Sequence, residues 1–366
     1  MLKLTKTRMV VSLTVAAILI SALTLTGTAQ RRDPSTQKPA PAPAGMMKRA
    51  DPQMQAVLDS LASLNPKPIE SLTPEEARRQ PTIADAVKAL LQKRGQPLTP
   101  EPVGKVEDRQ ISGAAGQIAA RIYTPAGTGP FPIVVYFHGG GWVIATIDTY
   151  DSSARALTNA AGAIVISVEY RKGPENKFPA AHEDAFAAYR WALDNAKALG
   201  GDPTKVAVAS ESAGGNLAAN VSMMARDRKA QLPVHQVLVY PVANNDLNSP
   251  SMVENANARP LNRAMLPWFL GHYLKSQSES GNPMIALVKA DLKGLPTTTL
   301  ITAQIDPLRS EGQLLAERLS AAGVRVDARN YDGGAHEFFG TGAVVDKARE
   351  AVAQAGMGLR AAFGNK

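Results

Sequence analysis

Ser210, Glu211 and Ser212 stand between an apolar run, Val206 to Ala209, and a stretch of small residues that opens Ala213-Gly214-Gly215. A strand turning sharply into a helix lifts one residue clear of the fold, and its neighbours two positions away must be small for the turn to close. For Ser212 those neighbours are Ser210 and Gly214. The helix predicted to follow, "GGNLAANVSMMARD", directs its positive end at the serine oxygen. A hydroxyl so placed suits nucleophilic attack on a carbonyl. The same residues also suit a plain strand-to-helix corner, because the first position of the pentapeptide is Ser210 and not glycine. A glycine-rich loop elsewhere favours attack. His138-Gly139-Gly140-Gly141-Trp142 follows another apolar run. A tetrahedral oxyanion needs two or more N–H donors with no side chain in the way, and Gly139 and Gly140 would donate with Ala213. A nucleotide cradle would need G-x-G-x-x-G or G-K-[ST], and neither occurs.

A serine nucleophile needs a base, and the chain has 5 histidines. His138 belongs to the glycine loop and reads as its brace. His182 falls at a helix start, His272 in a helix that interrupts the strand rhythm, and His235 at the wrong end of a strand. His336 alone lies beyond a strand end, after Gly333 and Gly334. Asp306, past the run "TLITAQ", would accept from the other ring nitrogen and fix the tautomer. The order Ser212, Asp306, His336 along the chain is the order expected when a parallel sheet carries these groups at its strand ends.

The elements that must position these residues are legible. "KVEDRQI" and "QIAARIYTP" flank "SGAAG" as an antiparallel hairpin. Six apolar runs follow: "PIVVYFHGG", "AIVISVEYR", "KVAVASES", "QVLVYPV", "TTTLITAQID" and "RVDARNYDG". They alternate with helical sequence such as "ARALTNAAG", "EDAFAAYRWALDNAKALGG" and "LLAERLSAAG". This predicts an α/β fold with a mostly parallel sheet covered on both faces. Residues of about 244–285, with "LNRAMLPWFLGHYL", break the rhythm and read as an insertion at the mouth of the sheet. Ahead of the sheet, residues 49–104 hold three helical patterns: "DPQMQAVLDSLASL", "SLTPEEARRQ" and "TIADAVKALLQKRG". Their apolar face has no strand of its own to cover, which predicts a cap over the site. The catalytic domain then spans 105–366.

The chain's first residues read differently. Lys3, Lys6 and Arg8 precede an apolar run from Met9 to Leu25, then Gly27-Thr28-Ala29. That order is a secretory signal, predicted over 1–29, with the mature protein periplasmic or secreted. The alternative is an uncleaved membrane anchor, for which the run is short and diluted by Ser12, Thr14, Ser21 and Thr24. With cleavage, no stable membrane insertion is expected. Without cysteine, lipid attachment through that side chain is excluded. Residues 30–48, rich in Pro and Ala, read as a disordered linker. Losing the three cations of the signal lowers the net charge from +8 to +5, an unblocked excess that points away from nucleic acid.

These motifs together resemble the hormone-sensitive-lipase-like family of bacterial α/β-hydrolase esterases. They are "VYFHGGGW" (135–142), "YRKGPENKFPAAHED" (170–184), "SESAGGN" (210–216), "IDPLRSEG" (305–312) and "YDGGAHEFF" (331–339), and the similarity covers about residues 50–365. The resemblance implies an α/β-hydrolase fold and a serine carboxylesterase. Its nucleophile would be Ser212, its acid Asp306 and its base His336, with an oxyanion hole from Gly139, Gly140 and Ala213. It implies a small-molecule ester substrate with a short acyl group, up to about eight carbons, bounded by the cap. It implies no metal and no organic cofactor, and it leaves a homodimer open. An amidase or lactonase would use the same triad. A non-catalytic ligand-binding protein, as the plant gibberellin receptors are, shares the fold but loses the histidine that His336 supplies here. Three departures from the family pattern stand out. Ser210 replaces the first glycine, Ser310 replaces an acidic residue, and Lys172 with Asn176 alters a stretch expected to form a buried structural loop.

Overall fold

The structure, a computed structural model, describes residues 50–364. The predicted leader (1–29) and linker (30–48) lie outside the described residues. Eight strands form one sheet: β1 (Lys105–Gly113), β2 (Gly116–Thr124), β3 (Phe131–Phe137), β4 (Ile164–Val168), β5 (Gly201–Glu211), β6 (Gln236–Val239), β7 (Thr298–Ile305) and β8 (Val326–Ala335). Their order across the sheet is β1-β2-β4-β3-β5-β6-β7-β8. The first two form the antiparallel hairpin read from the sequence, and β3 to β8 are parallel to one another. The carboxyl ends of β3, β5, β7 and β8 therefore fall on one edge, carrying the glycine loop, Ser212, Asp306 and His336.

Three helices precede the sheet: α1 (Pro52–Ser63), α2 (Pro74–Ala77) and α3 (Ile83–Lys93). Their start signals are all used. Asp51 accepts from the N–H of Met54 at 2.9 Å, and Thr73 with Glu76 and Thr82 with Asp85 form reciprocal capping boxes. The pattern in "SLTPEEARRQ" yields only the four residues of α2, because Pro81 disfavours helical backbone at Gln80. Met54, Val57 and Leu61 of α1 are buried with Ile83, Ala86, Val87 and Leu90 of α3, at the predicted helical spacing.

On the faces of the sheet lie α4 (Asp151–Ala161), α5 (Ala180–Asn195) and α6 (Ala213–Asp227). The insertion contributes α7 (Pro250–Glu254) and α8 (Met265–Tyr273), and α9 (Arg309–Ala321) and α10 (Asp346–Phe363) follow. Alternation along β3 sorts the two cores. Ile133, Val135 and Phe137 pack with Ala185 of α5 and Leu217 of α6, whereas Val134 and Tyr136 pack with Leu157 of α4, Ala351 of α10 and the apolar face of α1 and α3. Each fully buried side chain of this size contributes about 1.5–3 kcal/mol, so the strands that end at the site are anchored on both faces.

Candidate active site

Ser212 joins β5 to α6 with φ 56° and ψ −121°, a conformation rarely adopted by a residue with a Cβ. Its backbone is held on both sides. The Ser212 N–H donates to the Val239 carbonyl at 2.9 Å, and its own carbonyl accepts from Val242 N–H at 3.2 Å and Asn216 N–H at 3.3 Å. Gly214 makes the turn possible, since a Cβ there would overlap the carbonyl oxygen of Phe137. Ser210 is fully buried, and its Oγ accepts from the Phe137 N–H at 3.2 Å and donates to the Ala209 carbonyl. Ser210 and Phe137 are register partners on adjacent strands, so the serine that replaces the usual glycine serves as a polar tie between β5 and β3.

A bulge brings His336 across. Ala303 pairs with Tyr331, but Ile305 pairs with Ala335, so β8 carries extra residues around Gly333 and Gly334. These glycines lie within the end of the strand, where the Gly333 N–H donates to Gln304 Oε1 at 2.7 Å and its carbonyl accepts from Asp51 N–H at 3.0 Å. Beyond the bulge, His336 Nε2 lies 3.0 Å from Ser212 Oγ, and Nδ1 lies 2.8 Å from Asp306 Oδ2. The other Asp306 oxygen accepts from Leu308 N–H at 2.8 Å. Exposures of 6%, 3% and 0% for Ser212, His336 and Asp306 keep this chain of hydrogen bonds away from bulk water. Burial alone opposes a charge on the His336 ring. The Asp306 carboxylate outweighs it, with help from Glu337 and Glu211, and the ring's pKa is raised above 6.5. A hydroxyl, an imidazole and a carboxylate so arranged can pass a proton from serine to histidine as the oxygen attacks a carbonyl.

The glycine loop lies against this serine. A Cβ on Gly139 would come 3.1 Å from Ser212 Cβ and overlap the Tyr150 hydroxyl, and Gly140 adopts φ 92°. Among the described residues, no backbone carbonyl takes the N–H of Gly139 or Gly140. Ala213 opens α6, where first-turn N–H groups have no helical acceptor. His138 braces the loop. Its ring stacks on Tyr170 with centroids 4.4 Å apart, Nδ1 lies 2.8 Å from the Gly139 carbonyl, and the Tyr170 hydroxyl donates to the carbonyls of His138 and Gly139 at 2.9 and 3.1 Å. Glu169 stands beyond His138 Nε2 at 3.7 Å. Burial pushes its carboxyl up, yet His138 and Lys172 bring it down to about 2. Lys172 also donates to the Ala145 carbonyl at 2.6 Å, and the stretch it belongs to is half-buried, where a buried loop was expected.

The remaining histidines are occupied elsewhere. His182 bonds Tyr273 and Asn216, His235 bonds Thr297 and Thr299, and burial lowers both to about 4. His272 packs on Trp268. Ser310 exchanges hydrogen bonds with Ser251 of the insertion, at 3.0 and 2.9 Å.

Two site residues escaped the sequence reading. Glu211, next to Ser212, is buried and accepts from the hydroxyls of Tyr136, at 2.5 Å, and Tyr240. Burial, and then the charge of Glu337, pushes its carboxyl up to about 7. Glu337, next to His336, takes φ 68° and accepts from the Tyr150 hydroxyl at 2.6 Å. The only signal for either was adjacency to a candidate reacting residue in the chain. Over Ser212 lies a cavity of about 250 Å³ bounded by Pro81 and Ile83 of the N-terminal segment, Leu261 and Phe269 of the insertion, and Tyr150 and His336. Among the described residues no cluster suits a metal ion, and no helix is long and apolar enough to cross a membrane.

Residues 134–340 match the family model described as alpha/beta hydrolase fold. The chain is 40% identical to Carboxylesterase NlhH of Mycobacterium tuberculosis over 289 residues, which is 76% of this chain and 90% of that protein. It is 38% identical to an arylesterase of Saccharolobus solfataricus over 243 residues, 66% of this chain and 79% of that protein. Among solved structures, the hyperthermophilic esterase from Pyrobaculum calidifontis superposes with a TM-score of 0.78 at 37% identity, covering 86% of this chain and 99% of that one. The sheet order, the motifs and these likenesses agree: the chain belongs to the hormone-sensitive-lipase-like branch of the α/β-hydrolase fold family.

Proposed function

We propose that this protein is a serine carboxylesterase in which Ser212 is the nucleophile, His336 the general base and acid, and Asp306 its orienting carboxylate. The observation that carries the reading is the pair of contacts on one ring, 3.0 Å from Nε2 to Ser212 Oγ and 2.8 Å from Nδ1 to Asp306. Ser212 Oγ attacks the ester carbonyl while His336 Nε2 takes its proton. The carbonyl oxygen becomes an oxyanion facing the N–H groups of Gly139, Gly140 and Ala213. Collapse breaks the bond to the alcohol oxygen, which leaves with the proton from Nε2. Water, deprotonated by the same nitrogen, then attacks the acyl-enzyme and releases the carboxylic acid. The short acyl preference follows from a cavity closed by the N-terminal helices, residues 49–104, which serve as a cap with the insertion.

The test is hydrolysis of p-nitrophenyl acetate by the wild-type chain and Ser212→Ala. A loss of roughly 10³-fold or more in kcat/KM is expected with the fold intact, and full activity in the variant would overturn the assignment. The basic, apolar, small order of residues 3–29 supports export with cleavage near Gln30. Sequencing the N-terminus of protein purified from the producing cell tests this, and an intact Met1 in the membrane fraction would favour the anchor.

A further inference from the structure

His336 and Glu337 are consecutive, yet both line the cavity over Ser212. Neighbouring side chains in extended backbone point to opposite sides, and the φ of 68° at Glu337 is where that alternation breaks. His336 Nε2 and Glu337 Oε1 lie 3.9 Å apart. That is too far for a hydrogen bond between them and close enough for one small molecule to bond both. We infer that Glu337 is a further catalytic residue: with His336 it holds the water that hydrolyses the acyl-enzyme, and it thereby favours water over alcohols as the acyl acceptor. This inference rests on the serine esterase reading above.

Hydrogens and lone pairs decide between water and an alcohol. Once the alcohol has left with its proton, Nε2 is an acceptor. Glu337 Oε1 accepts from the Tyr150 hydroxyl at 2.6 Å, and a carboxylate oxygen has a second lone pair to offer. A water about 2.8 Å from each atom sees the two at an angle of roughly 90°, close to the spread of its own O–H bonds. Donating to both, it keeps its lone pairs for the acyl carbon. As the water oxygen bonds that carbon, one proton passes to Nε2. When the adduct collapses, the bond from carbon to Ser212 Oγ breaks, Oγ takes the proton from Nε2, and the second water proton leaves with the carboxylic acid. An alcohol has one O–H. Given to Nε2, as attack requires, it leaves Glu337 facing an alkyl group without the bond that water makes. Glu337 is half-buried, so solvent makes good only part of that loss. The charge of the same carboxylate acts on the His336 ring in both half-reactions, whereas the second hydrogen bond acts only when water attacks.

Water and methanol compete for the same acyl-enzyme, so the ratio of their products reads the attack step alone. The substrate is p-nitrophenyl acetate with methanol at a fixed concentration, and the products are acetic acid and methyl acetate. In Glu337→Ala the ratio of methyl acetate to acetic acid should rise about tenfold over the wild-type chain, the worth of one hydrogen bond to a charged acceptor. Glu337→Gln keeps a neutral carbonyl acceptor and the partner of Tyr150. With an acceptor roughly half as strong, its ratio should rise about threefold, and it carries the test if Glu337→Ala does not fold. Without methanol, kcat of the variants should fall more than kcat/KM, which ends with acylation, and acetyl should accumulate on Ser212 in the intact mass. A Glu337 that only supports the fold would slow both attacking molecules alike. A product ratio unmoved in both variants would therefore overturn the inference and leave the esterase reading standing. Absence of turnover of p-nitrophenyl acetate by the wild-type chain would overturn the esterase reading and this inference with it.

Discussion

The Tyr150 hydroxyl donates to Glu337 Oε1 at 2.6 Å, and the same carboxylate oxygen lies 3.9 Å from His336 Nε2. The pair stands behind Gly139, where a Cβ would overlap the Tyr150 hydroxyl, so one contact touches both the glycine loop and the His336 ring. Glu337 holds this place at φ 68°, a conformation that costs a residue with a Cβ on the order of 1 kcal/mol or more. Strain kept beside a reacting group is consistent with a role there.

Toward the ring, the role expected of Glu337 is electrostatic. The carboxyl groups facing the His336 ring are Asp306, Glu337 and Glu211, and in their ionised forms they overcome the opposing effect of burial and raise its pKa above 6.5. His336 must be neutral to accept the Ser212 proton, so kcat/KM falls as pH drops through that raised value. Glu337→Gln keeps an acceptor for Tyr150 and removes one negative charge. The acid limb of the kcat/KM profile should move to lower pH, with the variant retaining a larger fraction of its maximum at pH 5.5. An unmoved acid limb would show that the Glu337 charge does not act on the ring.

Ser210 should matter for stability and little for rate. Ser210→Gly restores the small residue that the elbow needs but removes the side-chain oxygen that accepts from the Phe137 N–H. A hydrogen bond of this kind contributes about 0.5–1.5 kcal/mol, and the chain freedom that glycine adds to the unfolded state deepens the loss, which denaturant unfolding will detect. The fall in kcat/KM should stay within about tenfold, far below that of Ser212→Ala. A loss as deep as that of Ser212→Ala would place Ser210 in the chemistry.

Much of this was legible in the sequence for a physical reason. Strands buried on both faces read as continuous apolar runs, and a parallel sheet puts the residues just past each run on one edge. That rule, with elimination among the histidines, singled out Ser212, Asp306, His336 and Gly139 as candidates. Asp306 and His336 stand 30 residues apart, and the β7–β8 bulge that joins them has no sequence signature beyond two glycines. The helix α10 was not read at all, because Ala348, Ala351 and Ala355 give its buried face little hydrophobic contrast. Glu211 and Glu337 were missed because carboxylates are ordinarily solvated, and only tertiary packing supplies the tyrosines that make these two tolerable inside.

Glu311 makes a pH prediction of the opposite sense to the usual carboxylate. It is 1% exposed and accepts from Ala243 N–H at 2.7 Å and Asn244 N–H at 3.3 Å, while its other oxygen has no partner. Burial pushes its carboxyl up to about 8. The folded state then holds a proton that the unfolded chain, at about 4.5, has released, so this contribution to stability is full below pH 4.5 and is lost as pH rises to about 8. Glu311→Gln keeps a carbonyl acceptor for the two N–H groups and removes the titration. Its Tm should fall less than that of the wild type between pH 5 and 9, and parallel Tm curves would show that the folded-state carboxyl ionises without cost.

Arg78 is the expected anchor of the cap. From the end of α2 it donates through Nε to the Val143 carbonyl at 2.9 Å and through Nη2 to the Gly173 carbonyl at 2.7 Å. It also grips both oxygens of Glu175, at 2.8 and 2.7 Å. Val143 follows the glycine loop directly in sequence, so one guanidinium ties the N-terminal segment to the frame of that loop. The Glu175 carboxylate is 57% exposed, and that ion pair alone contributes under about 1 kcal/mol. The bonds to the two carbonyls carry the larger share, about 1–3 kcal/mol together. Arg78→Ala should therefore lower Tm by about 2–6 °C and speed amide exchange across residues 52–93. If the cap bounds the acyl pocket, KM for p-nitrophenyl hexanoate should rise more than KM for p-nitrophenyl acetate, whose acyl group does not reach the cap. Arg78→Lys should rescue little, because a single ammonium cannot hold the planar, three-way arrangement. Unchanged exchange in 52–93, or KM values that rise equally for both esters, would show that the segment is held by its apolar face alone.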